Sequence, residues 1–365
     1  MRSVRPVAAL AATSLVLAGC ASVTDASEAD YRVVVTTTQL GDWTRNLVSD
    51  LPIDVYQLLQ PGQDVHEYDP SAADLLALSR ADLVIINGSG LDDWLDSNFA
   101  AAGYTGAVVD TTESWFPEIA EEYLEQRDHA GEDDDHAHEG DAAHQHAQED
   151  VDHDHADEDG DHDGHDHGPV DPHTWTSVPF AKRQVAVVAA ALQEAAPDFA
   201  TTIAANATRY QAQLDDLDAW IRASIEPVAP GSRTIVTSHA SLTWFAAEYD
   251  VTEATFGGNL GIGDAEPTEQ EFAAIVERFR TLMAEGVDVS HIVASADHHS
   301  SKVMQAVAEE LGLEVVAGDV GLLIDSLAPT GTYGDTYITS QIHNTTLALG
   351  SFGAEPKPLP PSLAG

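Results

Sequence analysis

The stretch RVVVTTTQLGDWTRNLVSDLPIDVYQLL, residues 32–59, decides the fold. Its β-branched opening, 32–38, reads as a strand, residues 40–49 place apolar side chains at helical spacing, and IDVYQLL at 53–59 reads as a second strand. DPSAADLLAL at 69–78 then offers Asp69 as a helix cap with Pro70 at the first helical position, and LVIING at 83–88 gives a third strand. Strands that alternate with helices predict a parallel sheet covered by helices. The alternation resumes after Gly231: TIVTSH, a helix through Trp244 to Tyr249, a helix over 268–284, HIVASA, a helix over 301–311, and LEVVAG. Between the two halves, Ile203, Ala207, Tyr210, Leu214, Leu217 and Ile221 recur at three- and four-residue steps, with Pro197 before them and Pro227 after. The expected fold class is α/β: two lobes with mostly parallel sheets flanked by helices, joined by one long helix.

The ends of the chain read differently. Arg2 and Arg5 precede an apolar run over 7–17 that closes on LAGC, so residues 1–20 read as a secretory signal, too short to span a bilayer as a mature helix. The LAGC ending resembles a bacterial lipobox, which makes Cys20 the expected lipidation site and places the protein on the outer face of the cell membrane. Cys20 is the only cysteine, so no disulfide can form within the chain. Residues 21–30 read as a tether, 31–196 as a first lobe, 197–226 as the linking helix, 227–354 as a second lobe and 355–365 as a disordered Pro-rich tail. A chain of this length favours two lobes, each with its own core.

The formal net charge is −47, which excludes nucleic acid as a partner because phosphate would be repelled, and favours cations. Within the first lobe, residues 128–168 hold ten histidines and seventeen acidic residues and no lysine or arginine. Such a segment cannot bury a core and reads as a mobile loop. Its His129, His136, His138, His144, His146, His153, His155, His162, His165 and His167 are expected to bind metal weakly, since ordering them costs entropy. A solvated acidic linker with no role is the competing reading of the segment.

Outside that segment, His66 follows the second strand, His239 ends the TIVTSH strand, Asp325 follows LEVVAG, and His173 in DPHTW precedes a helix. Ligands in open α/β sheets collect outside the carboxyl ends of strands, where such loops converge. Imidazole and carboxylate are what zinc takes in the absence of thiolate. Each histidine taken alone could equally be structural.

The matching stretches VTTTQLGDW, residues 58–95, DPHTW, IVTSHASLTWFAAEY, AEPTEQEF and DSLAPTGTYGDTYI run in order along most of the chain. Together they make it resemble the zinc and manganese solute-binding lipoproteins of metal ABC importers, in their zinc-type branch. The resemblance implies four metal ligands, His66, His173, His239 and Asp325, with Zn2+ as transported cargo, an ABC permease as partner, a monomeric carrier and no enzymatic activity. Manganese-type members place a carboxylate where this chain has His239, and three imidazoles with one carboxylate suit zinc better than an oxygen-rich site. Solvent or a nearby acid takes the place of Asp325 in some zinc-type members. The resemblance also implies that the His-rich segment is a zinc-branch feature.

Several features depart from the family or compete with it. ASADHHSS stands where relatives carry Glu-Ser-Asn, so His298 and His299 are either a secondary site or exposed residues beside a cap at Asp297 or Ser300. His291 and His343 sit in apolar contexts and read as structural. Glu67, Asp69 and Asp171 are candidates to orient the imidazoles. A zinc hydrolase is the competing class, but HEYDP lacks the second histidine of HExxH, and four protein ligands leave no place for a catalytic water. A manganese carrier, and an extracellular metal buffer or adhesin that delivers to no permease, also fit a chain with these residues.

Overall fold

The computed structural model describes residues 31–63, 65–66, 68–132, 170–237, 240–255, 268–287, 289, 291–293, 298–316 and 321–364. The first lobe runs β1 (Tyr31–Val35), α1 (Thr38–Val48), β2 (Ile53–Gln57), α2 (Ala72–Leu78), β3 (Leu83–Ile86), α3 (Leu95–Ala102), β4 (Ala107–Asp110) and α4 (Phe116–Glu132). After residue 169 come α5 (Val178–Ala195) and the long α6 (Ala200–Ile225). The second lobe holds β5 (Thr234–Thr237), α7 (Thr243–Tyr249), β6 (Thr252–Thr255), α8 (Glu269–Ala284), β7 (His291–Val293), α9 (His298–Leu311), β8 (Glu314–Val316) and α10 (Tyr337–Ser351).

Among the described residues all strand pairs are parallel, in the order β2-β1-β3-β4 in the first lobe and as pairs β5-β6 and β7-β8 in the second. β1 lies inside its sheet, which is why Val33, Val34 and Val35 are consecutive and all buried instead of alternating with polar residues. β4 is the edge strand and half of it is exposed, so its short AVVD run carries little sequence signal. Thr36 to Thr38 leave the strand and start α1, with the Thr37 side chain accepting from Leu40 N at 3.2 Å as the helix cap.

Four sequence expectations are corrected. The cap of α2 is Ser71, whose hydroxyl and Asp74 form a reciprocal capping box, so the helix starts at Ala72 and Asp69 lies outside it. α4 continues to Glu132, five residues into the segment read as loop, because its first turns are anchored by packed aromatics. The tail is ordered: Lys357 accepts from Trp220 Nε1 at 2.8 Å and donates to Ser224 at 3.1 Å, and Leu363 is buried. Proline-rich backbone loses little entropy on docking, and α6 offers it a donor and an apolar seat.

The fourth correction concerns the core. One apolar cluster runs from Val33, Trp43 and Trp175 through Ile203, Leu214 and Ile221 of α6 to Ile235, Phe245, Leu322 and Tyr337 of the second lobe. Another, around Ile275, Phe279 and Val307, belongs to the second lobe alone. α6, at 26 residues about 39 Å long, packs on α1 and α5 along one part and on α10 and α7 along another. The lobes are therefore joined by a shared core as well as by a linker.

Candidate metal centre

His66, His173 and Asp325 come from three separate loops and meet at one point. Each offers a ligand atom, and these atoms lie within 4.8 Å of one another. His173 Nε2 stands 3.2 Å from His66 Nε2 and 3.3 Å from Asp325 Oδ1. Two ligands each about 2.0–2.1 Å from a tetrahedral zinc lie about 3.3 Å apart. His173 is fully buried, while the Asp325 side chain keeps 19% of its surface exposed, which leaves an approach for an ion.

The loops are held by bonds that sequence patterns do not show. Asn87, at the end of β3, donates to Pro172 O at 3.2 Å and accepts from the fully buried Gln184 of α5 at 3.0 Å. Asp171 Oδ1 accepts from His173 N at 2.8 Å and faces His173 Nδ1 at 2.6 Å, which leaves Nε2 as the atom presented to the centre. Asp325 is carried by a second-lobe loop bonded to the first lobe. Gln39 and Trp175 both donate to Ile324 O, at 3.2 and 2.9 Å, and Leu327 N donates to Thr38 Oγ1 at 2.9 Å. Gly62 N, from the loop that carries His66, donates to Ser326 Oγ at 2.9 Å.

Electrostatics prepares the centre for a cation. Burial alone would lower the His173 pKa, but the carboxylates of Asp171 and Asp325 outweigh it and push the imidazolium up to about 10. Burial likewise opposes ionisation of Asp171, yet its contact with His173 holds its carboxyl below the usual range. A metal ion at His173 would take the place of a proton where two carboxylates already favour positive charge.

The remaining sequence candidates are placed unequally. Ser238 and His239 lie outside the described residues, but the segment that carries them is fixed at its ends: Thr237 closes β5, and Thr243 N donates to Asp171 Oδ2 at 3.1 Å. Trp244 Nε1 adds a bond to Asp171 O at 2.8 Å. Of the three carboxylates considered as orienting groups, Asp171 is bonded to His173, and Glu67 lies outside the described residues. His343 is structural, its Nε2 standing 3.0 Å from Gly321 O. His291 falls in β7, and His298 and His299 in the first turn of α9. His129 falls in α4; the other nine histidines of the acidic segment, and Cys20, lie outside the described residues.

Residues 33–347 match the profile of the family described as ZnuA, zinc-uptake complex component A, periplasmic. The chain belongs to the ZnuA family. The manganese ABC transporter substrate-binding lipoprotein ScaA of Streptococcus gordonii is 25% identical over 334 residues, covering 90% of this chain and 92% of the relative. The zinc-binding protein AdcA of Streptococcus pyogenes is 26% identical over 290 residues, covering 79% of this chain and 50% of the relative. A solved structure of TroA superposes with a TM-score of 0.65 at 27% identity, covering 88% of this chain and 99% of TroA. As a member of the ZnuA family, the protein is an extracytoplasmic metal-binding component of an ABC importer and not an enzyme. Its relatives are named for manganese and for zinc. Among the described residues, no helix is long and apolar enough to cross a membrane.

Proposed function

We propose that this ZnuA-family protein captures Zn2+ between its lobes with His66, His173, His239 and Asp325 and releases it to a membrane permease. The observation that carries the reading is the convergence of His66, His173 and Asp325 from three distant loops, with donor spacing suited to a tetrahedral ion. His239 completes the set, and its identity supports zinc over manganese, since a third imidazole replaces the oxygen ligand that manganese favours. The manganese names among the relatives make a manganese carrier the second reading. Lipid on Cys20 would hold the protein at the outer membrane face, as the word lipoprotein in the relatives' names supports. The histidines of residues 128–168 would gather zinc weakly near the tight site. Docking on the permease would distort the ligand set and free the ion.

Competition against a zinc chelator reads the tight site in the full mature chain. His66→Ala should lose chelator-resistant zinc, and unchanged competition refutes the ligand set. Deleting residues 128–168 should leave one tight site, whereas a loop-based buffer would lose nearly all binding. Elemental analysis of protein purified from its own host separates zinc from manganese.

A further inference from the structure

Glu253 is a half-buried carboxylate on β6, a strand whose other residues are Thr252, Ala254 and Thr255. Oε1 accepts from Thr237 Oγ1 at 2.8 Å, Ser241 N at 3.0 Å and Leu242 N at 2.9 Å, and Oε2 accepts from Thr243 Oγ1 at 3.4 Å. Among the described residues, the hydrogen bonds to the Glu253 carboxylate come from Thr237 at the end of β5 and from Ser241, Leu242 and Thr243 just beyond it. No cation is bonded to it there, and the nearby Asp171 repels it, adding to the burial that already raises its pKa. A charge so placed is costly to the fold. The gain is that two consecutive backbone N–H groups and two hydroxyls are fixed in space.

The stretch 241–243 ends on the metal centre. The next backbone N–H after Leu242, that of Thr243, donates to Asp171 Oδ2, and the other oxygen of Asp171 orients His173. Thr237 and Ser241 also flank the segment that carries His239. We propose that Glu253 is a positioning residue for metal binding, which fixes Thr237 on one side of His239 and Ser241 to Thr243 on the other, so that Asp171 and His173 are held from the second lobe. It acts through the backbone and touches no ion. The inference rests on the ligand set proposed above.

The test uses the full mature chain, with chelator competition for zinc affinity, the visible absorption of bound Co2+ as a reporter of ligand geometry, and urea unfolding of the metal-free protein. Glu253→Ala should unfold cooperatively yet bind zinc about 10–100-fold more weakly, with a Co2+ spectrum shifted toward that of His239→Ala. Glu253→Gln should keep wild-type affinity and spectrum, because its amide oxygen still accepts from Ser241 and Leu242. If Glu253→Ala does not fold, Glu253→Asp decides. Its carboxylate keeps the charge but retracts by one methylene, so it should weaken zinc and shift the spectrum while Glu253→Gln does neither. Wild-type affinity and spectrum in the folded Ala or Asp variant, or a Gln variant as impaired as these, overturn the proposal. His66→Ala separates the two ideas. If it binds zinc normally, the ligand set is wrong; if it loses zinc while Glu253→Ala does not, only the role of Glu253 is wrong.

Discussion

Asp171 uses its two oxygens in two directions, one toward His173 and one toward the backbone of Thr243 in the other lobe. Removing it frees the imidazole to turn and leaves a protonated His173 with less to hold its charge. Asp171→Ala should weaken zinc about 10–100-fold, read by chelator competition, and an unchanged constant would show that His173 is fixed by packing alone. His66, His173 and Asp325 were legible in the sequence because each stands in a motif that resembles a known family. Gln184 and Glu253 were not. Gln184 follows Lys182 and Arg183 and reads as one more polar residue of its helix, Glu253 is one acid in a polar strand, and nothing in either pattern tells what the side chain meets across the fold. Their partners are backbone and side-chain groups far along the chain or in another loop, which periodicity does not encode.

α1, α6 and α10 meet at Asp42. Its carboxylate accepts from Tyr210 of α6 at 3.2 Å and from Tyr337 N of α10 at 3.0 Å, and burial, opposed by those bonds, pushes its pKa up to about 6. A carboxyl raised in the folded state binds its proton more tightly there than in the unfolded chain. Its effect on stability is therefore most favourable below the unfolded value near 3.8 and declines as pH rises through about 6. Asp42→Asn cannot titrate but can still accept both bonds. Relative to wild type, the variant should be more stable at pH 7.5 than at pH 4.5 by about 2 kcal/mol. Urea unfolding of the metal-free proteins at both values measures this. The charge of −47 affects both proteins alike, so the difference isolates Asp42. At the same scale, the tail shows what composition conceals: its prolines suggest disorder, yet Leu363 is a core residue. Leu363→Ala should cost about 2 kcal/mol, and an unchanged urea midpoint would mean that the tail rests on the surface without bracing α6.

At the scale of the molecule, the alternation of strands and helices and the period of α6 made the two lobes readable, whereas their shared core was not, since it depends on which faces of α6 are covered. That core bears on how loading works. A carrier with separate lobes can close on its cargo about a hinge. Here the loop that brings Asp325 is already bonded to Thr38, Gln39, Gly62 and Trp175 of the first lobe, and α6 packs against both lobes. Most of the ordering cost is thus met before the metal arrives, and little is left for a hinge to do. Nitroxide labels at Ser97→Cys on α3 and Glu309→Cys on α9, both exposed, with Cys20→Ser, report the lobe separation. The distance between them should change on zinc loading by no more than about 2 Å, in keeping with preorganised sites. A larger contraction would show that the bonds around Ile324 break and re-form during capture. In that case Gln39→Ala, which removes one of them, should speed zinc release; in the rigid carrier it should instead weaken zinc binding without altering the label distance.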